Sequence, residues 1–312
     1  MASGAHVSLS DLVRLRYEGR GFSFLPRQPL RSVLAGLHAS RLRGRGLDFD
    51  ELRAYHPGDD IRDIDWKVTA RMREPYSRVY TEERDRATLL LVDQRVNMFF
   101  GSQLQMKSVA AAHAAALCVW RVLAQGDRPG AIVFDDHDQV EIRPRRSQGR
   151  AMAILEATAR MNRALRVDRS ERSAPGQLNH VLRRAVRLAT HDHLVVLVSD
   201  LDGSDDETAG LLRRISRHND VLVVLVYDPL ERQLPDASRL VVSDGELQLE
   251  FDSSDSELRA AFEQAFRDRL DTGRKELHKR NIPMLPLSTA EPVAIQVRAM
   301  LGQGRAVLVD GH

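Results

Sequence analysis

The sequence predicts an α/β protein built on a doubly wound, mostly parallel sheet. Leu89-Leu90-Leu91-Val92-Asp93 and Leu194-Val195-Val196-Leu197-Val198-Ser199-Asp200 are apolar runs without alternation, the pattern of strands covered on both faces. From Thr88 onward such runs alternate with stretches of helical periodicity, the rhythm of strand–helix–strand units. In open sheets of this kind ligands gather at the carboxyl ends of the strands, so Asp93 and Asp200 are expected to share one rim.

The elements follow in order. Ser8 to Glu18 reads as a short helix, with Ser8 or Ser10 as its cap and Leu9, Leu12, Val13 and Tyr17 on one side. Pro26 and Pro29 interrupt, and a second helix is expected from Leu30 to Leu42. Leu47 to Tyr55 alternates partially, as an exposed strand does. After Pro57-Gly58, the pair Asp59-Asp60 is placed to cap a helix carrying Ile61, Ile64, Val68 and Met72 on one face. Tyr76 to Tyr80 is a further strand, so residues 1–87 form an N-terminal β-rich extension and residues 88–312 the main domain.

Within the main domain, helices are expected at Leu104 to Ala124, Ala151 to Met161, Leu178 to Ala189, Leu211 to His218, Glu257 to Arg280 and from Pro292. Strands are expected at Gly130 to Phe134, Val221 to Tyr227 and Met284 to Leu287, with Gln139 to Ile142 as a hairpin partner of the first of these.

Composition sets limits. The chain has 312 residues, 43% of them hydrophobic and 29% charged, the balance of a globular protein. A single cysteine, Cys118, rules out internal disulfides and thiolate metal cages. The net charge of +2 does not point to nucleic acid, although residues 11–45 hold eight arginines against Asp11 and Glu18. Aromatic residues interleave too sparsely there for a single-strand binder. No apolar stretch reads as a bilayer span and the N-terminus lacks the apolar core of a signal peptide, so a cytoplasmic protein is expected.

One segment is far more specific than the rest. It runs Gly44-Arg45-Gly46-Leu47-Asp48-Phe49-Asp50-Glu51-Leu52-Arg53-Ala54-Tyr55-His56-Pro57-Gly58-Asp59-Asp60-Ile61-Arg62-Asp63-Ile64-Asp65-Trp66-Lys67-Val68-Thr69-Ala70-Arg71. It closely resembles the signature of the bacterial family catalogued as domain of unknown function 58. The part from Leu89 onward is similar to the von Willebrand factor type A fold that follows this signature in family members, a Rossmann-like sheet. The resemblance covers roughly residues 40 to 300. Members are often encoded beside MoxR-type AAA+ ATPases and are thought to assist assembly or maturation of other proteins. It thus implies a protein partner, a MoxR-type AAA+ ATPase or its client, and names no reaction.

Type A domains typically hold a metal ion with an Asp-x-Ser-x-Ser loop, a distant Thr and a second Asp, an oxygen set suited to Mg²⁺. The loop here reads Asp93-Gln94-Arg95-Val96-Asn97. Asp93 matches, while Arg95 and Asn97 replace both serines. Gln177 stands near the threonine position, and Asp200, with Asp202 nearby, matches the second aspartate. Arg keeps its proton and repels a divalent cation, yet can bond a carboxylate through two nitrogens. Arg95 is therefore expected to replace the metal, either bridging Asp93 and Asp200 or pointing outward to receive a partner's acidic side chain. No cofactor is expected, Mg²⁺ at Asp93 and Asp200 being the alternative.

Other constellations have plainer accounts. Asp228 could join an acidic rim with Asp93, Asp200 and Asp202 for metal-dependent hydrolysis, but a strand-terminal Asp more often caps a turn or helix. His191-Asp192-His193 reads as a solvated loop before a strand. No phosphate loop or nucleophile elbow is present. Arg53, Tyr55, Pro57, Gly58, Asp59, Asp60, Arg62, Asp65, Trp66 and Arg71 of the signature form either a partner-binding face or an internal ion-pair network anchored by Trp66. Asp63 and Lys67, spaced i,i+4 on the expected helix, favour the network. The reading reached is a non-enzymatic interaction module, with a Mg²⁺- or Mn²⁺-dependent hydrolase as its rival.

Overall fold

A computed structural model of the chain describes residues 4–18, 47–55, 61–72, 74–82, 85–166, 174, 176–235, 240–243, 248–251, 254–280 and 282–302. The helix expected from Leu30 to Leu42 lies outside these residues, as do Pro57, Gly58, Asp59 and Asp60 of the signature. In chain order the elements begin α1 (Leu9–Arg14), β1 (Leu47–Ala54), α2 (Trp66–Met72), β2 (Tyr76–Glu82), β3 (Ala87–Asp93) and α3 (Lys107–Ala124). There follow β4 (Arg128–Phe134), β5 (Gln139–Ile142), α4 (Gln148–Ala164), α5 (Gly176–Leu188), β6 (Leu194–Ser199) and α6 (Asp206–Ser216). The last are β7 (Asp220–Tyr227), α7 (Pro229–Arg232), β8 (Leu240–Ser243), β9 (Gln248–Phe251), α8 (Ser256–His278), β10 (Met284–Ser288) and α9 (Val293–Gly302).

Two units separate, residues 30–85 and residues 1–29 with 86–312. The larger contains a six-stranded sheet in the order β10-β7-β6-β3-β4-β5. All neighbours run parallel except β5, which returns antiparallel on β4 as its hairpin partner. Counted within the sheet, the order is the 3-2-1-4-5-6 of doubly wound folds. Strand order reverses beside β3, which pairs with both β4 and β6. Val92 lies opposite Val198, so Asp93 and Asp200 leave adjacent strands at the same carboxyl end.

The absence of alternation in β3 has the expected cause, since both faces are covered. Leu90 and Val92 join one core with Ala112, Leu117 and Val119 of α3, Ile154 and Leu155 of α4 and Val297 of α9. Leu89 and Leu91 point the other way, into a second core with Leu178, Val181 and Leu182 of α5 and Leu212 of α6. Contrary to the sequence expectation, among the described residues one helix, α3, is long and apolar enough to cross a membrane. Here most of it, including Ala110 to Ala112, Ala114 to Ala116 and Leu117, is buried in the protein, so packing against the sheet accounts for its composition.

The first helix corrects the expected domain boundary. Ser8 caps α1 in a reciprocal arrangement with Asp11, and Leu12 is buried in the α3–α4 core. The indole of Trp120 donates to the Leu12 carbonyl at 2.9 Å. Residues 4–18 therefore belong to the sheet unit rather than to an extension running from residue 1 to 87. A hydrophobic helix face of this kind needs a partner, and α3 and α4 supply it.

In the smaller unit β1 and β2 form an antiparallel pair, with an irregularity between Phe49 and Glu51. The helix that follows starts later than expected. Ile61–Asp63 make a 3₁₀ turn, Ile64 bridges to Ser77, and Asp65 caps α2 by accepting from the N–H groups of Lys67 and Val68 at 2.9 and 3.1 Å. Asp63 thus lies before the helix that carries Lys67. The pairing of Ile64 with β2 explains the delay, because its backbone is committed to the strand.

Candidate functional site

The C-terminal end of β3 carries Asp93 into a pocket sealed from solvent. Its Oδ1 accepts from the backbone N–H and Nε of Arg95, both at 3.0 Å. Its Oδ2 accepts from Arg95 Nη2 at 2.7 Å and from the Ser199 hydroxyl at 2.6 Å. Arg95 is itself fully buried, with its guanidinium 5.9 Å from the centre of the Phe134 ring. The same Nη2 donates to the carbonyl of Asp202 at 3.2 Å and stands 3.9 Å from Asp200 Oδ1.

Asp200 is served by other residues. The amide of Asn97 donates to both its oxygens, at 2.9 and 2.8 Å, and Lys107 Nζ approaches Oδ2 at 2.8 Å. Reversing the Asn97 amide would set oxygen against carboxylate, so the charge pattern fixes its orientation. Lys107, the first residue of α3, is buried, lies 2.5 Å from Glu231 Oε1 and is 5.9 Å from the Phe100 ring centre. Burial works against the charge of each cation, but the neighbouring carboxylates win and hold both above their ordinary values. Burial likewise opposes the Asp200 charge, and Lys107 overcomes it, leaving that carboxyl below its usual value. At Asp93 burial prevails and pushes the carboxyl up against the pull of Arg95.

The geometry sorts the residues singled out in the sequence. Asp93, Arg95, Asn97 and Asp200 come together. Asp202 contributes its backbone, its N–H to Asp200 Oδ1 at 3.0 Å and its carbonyl to Arg95, while its side chain is exposed. Gln177 is half-buried on α5 and has no side-chain bond to this cluster. Asp228 is the N-cap of α7, accepting from Ser102 N–H at 2.8 Å, from Leu230 N–H at 2.9 Å and from the Thr289 hydroxyl. Arg95 does not point outward, so no partner carboxylate can reach it in this structure. Trp66 is 65% exposed, not an internal anchor, and in the signature Asp65 is committed to capping α2.

Sequence reasoning missed Lys107, Ser199, Glu231 and Asp136. A lysine inside an otherwise apolar helix was the available signal for Lys107, because such residues are almost never buried unless paired. Asp136 accepts from Val96 N–H at 2.6 Å and Ala174 N–H at 2.9 Å, pinning the loop after β3. Gln94 was also passed over. Its amide donates to the Asp93 and Ser108 carbonyls, and its oxygen accepts from Asn162 at 3.0 Å.

A family model described as "Protein of unknown function DUF58" matches residues 51–272. The chain belongs to this family. Similar relatives are Uncharacterized protein Rv1480 of Mycobacterium tuberculosis and Uncharacterized protein Mb1516 of Mycobacterium bovis. Each is 29% identical over 288 residues, covering 92% of this chain and 88% of the relative. Among solved structures, conserved hypothetical protein BatB from Bacteroides thetaiotaomicron aligns with 70% of this chain and 96% of its own, at 12% identity and a TM-score of 0.39.

The Mg²⁺ that type A sites hold does not fit the side chains of this DUF58 chain. An octahedral shell needs free oxygens, and here all four oxygens of Asp93 and Asp200 accept from nitrogen or hydroxyl donors. The Asn97 Oδ1 and Arg95 Nη1 atoms are buried and unpartnered, and one orphan oxygen does not make a shell. A divalent ion would have to enter beside two fixed cations.

Proposed function

We propose that this protein is a non-enzymatic protein-interaction module in which Arg95, with Lys107, replaces the metal of a type A site. The observation that carries the reading is the saturation of Asp93 and Asp200 by Arg95, Lys107 and Asn97. In an ordinary site a partner's carboxylate completes a metal shell; here both acids are consumed by internal braces. What those braces support is the turn that follows β6. Leu201 and Gly203 both adopt positive φ, at 60° and 73°, a conformation costly for leucine. The turn is held by Leu201 N–H on the Ser199 hydroxyl, Asp202 N–H on Asp200, and Arg95 on the Asp202 carbonyl. Its exposed face carries Asp202 and Asp206.

On this reading the rim offers fixed negative charge to a cationic partner surface, which favours rapid and selective encounter more than high affinity. The family context points to a MoxR-type AAA+ ATPase or its client in the cytoplasm as that partner. The test is a binding titration against a purified MoxR-type AAA+ ATPase. Reversing the charge at Asp202 and Asp206 to Lys should weaken capture, and unchanged binding would overturn the rim's role. Calorimetry with Mg²⁺ and Mn²⁺ should give no micromolar binding. Micromolar heat that vanishes in Asp93→Ala would favour the hydrolase, or an ordinary adhesion site, instead.

A further inference from the structure

Within the signature segment, α2 presents a second surface whose charged side chains are basic. In the smaller unit no apolar side chain among those described is buried; Asp65 and Ser77 are the buried residues. Ile61 is 63% exposed, Trp66 65% and Met72 57%. Three large apolar side chains are thus exposed within twelve positions of sequence; Tyr17, Leu104 and Ile295 of the sheet unit are exposed too, but far apart in sequence. Exposed apolar side chains grouped in this way gain stability when covered.

Charge indicates what covers it. α2 reads Trp66-Lys67-Val68-Thr69-Ala70-Arg71-Met72, with Lys67 and Arg71 exposed and no acid within the helix. Asp65, just before it, is spent on the cap. Lys67 and Arg71 are one turn apart, on the same side of the helix as each other and adjacent to Trp66. Tryptophan and arginine are the side chains that most often dominate binding energy at protein interfaces. A nucleic acid would meet only one aromatic here, whereas single-strand binders stack successive bases on several.

We infer that the Ile61–Met72 face docks an acidic, leucine-containing segment of another protein, with Trp66 as the apolar anchor and Lys67 and Arg71 pairing with carboxylates. This adds a second contact to the interaction module proposed above and rests on that reading only for the partner being a protein. The rim and this face can be tested separately, because the rim variants leave α2 intact.

Two tryptophans make the experiment direct, since Trp120 is buried and Trp66 is exposed. The probe is a synthetic peptide of repeating Asp-Glu-Leu-Leu, added to the full chain at low salt while tryptophan emission is recorded. Trp66 emission should shift to the blue and lose acrylamide quenching, and Trp66→Phe should abolish that change while Trp120 emission stays put. Lys67→Glu with Arg71→Glu should weaken binding at least about tenfold. A repeating Asp-Glu-Ser-Ser peptide should bind more weakly, and a repeating Lys-Arg-Leu-Leu peptide should not bind. Unchanged affinity in the charge-reversed variant would overturn the inference. So would a single-stranded oligodeoxynucleotide that binds better than the acidic peptide and is lost in the same variants. Blue-shifted Trp66 in a concentration-dependent dimer without peptide would overturn it in favour of self-association.

Discussion

Without Arg95, Asp93 would be sealed from water with only a backbone N–H and the Ser199 hydroxyl to hold its charge. Leaving one member of a buried ion pair alone costs about 3–5 kcal/mol, so Arg95→Ala should lower unfolding free energy by that order in a urea titration. The double variant Asp93→Leu/Arg95→Met should recover much of the loss, because the penalty comes from the unpaired charge. A single alanine variant as stable as the parent would sink this account. The pH dependence has a defined sign. Asp200 is held below its ordinary value of 3.8 by Lys107, so its contribution is present above that pH and lost as pH falls through its lower folded value. Lys107 is held above its ordinary 10.5, so its contribution is present below that pH and lost as pH rises through its higher folded value. Lys107→Met should lower stability at neutral pH and remove both of these losses, measurable as a lower and flatter profile of thermal stability against pH. The Asp93 and Asp200 positions were legible in sequence because strand ends are marked by the change from apolar to acidic. The direction Arg95 points was not, since a long side chain takes its pose from partners distant in sequence, here the Asp202 carbonyl and the Phe134 ring.

At the scale of elements, α1 shows what local pattern conveys and what it leaves out. The capping serine and the apolar spacing were readable, whereas docking on α3 and α4 depends on side chains more than a hundred positions away. A buried polar chain completes the attachment: Val7 N–H donates to Asn162 Oδ1 at 2.8 Å, and Asn162 Nδ2 donates to Gln94 beside Asp93. Asn162→Ala strands an N–H and an amide oxygen together, each worth about 1–3 kcal/mol when buried unpaired. Differential scanning calorimetry should therefore show a clear fall in melting temperature, and an unchanged value would mean that the chain carries no load. His113 on α3 adds a titrating group to this face. Burial pushes its imidazole below its ordinary 6.5, against the pull of Asp11 on α1. Its contribution is present above pH 6.5 and lost as pH falls through the lower folded value. His113→Leu should remove part of the stability lost between neutral pH and mild acid; equal losses in parent and variant would exclude His113 as the source. The hairpin of β8 and β9 had escaped the sequence reading, since two four-residue strands give too short a period to stand out from turns.

For the whole molecule, the parallel sheet was legible because its strands are covered on both faces and therefore carry runs of Leu and Val that few other structures need. The division of the chain was less so. A boundary drawn where strand–helix alternation begins fell near residue 87, whereas the sheet unit takes residues 1–29 as well as 86–312 and the signature unit is inserted between them. Sequence order hides such an insertion, because the first stretch rejoins the core through α1 after the chain has been followed past the intervening unit. The two apolar cores lie wholly in the sheet unit, with Leu12 of α1 among their members. Stability of that unit should then depend little on the insertion. Replacing residues 30–85 with a flexible Gly/Ser linker should leave cooperative unfolding and near-native helical circular dichroism, whereas truncating everything before residue 86 should cost more, because it exposes the surface that Val7 and Leu12 cover. Burying a leucine side chain is worth about 2–3 kcal/mol, and the Trp120 and Asn162 partners would be lost with it. If the truncated form proves the more stable of the two, the core does not include the N-terminal segment and the inserted arrangement is wrong.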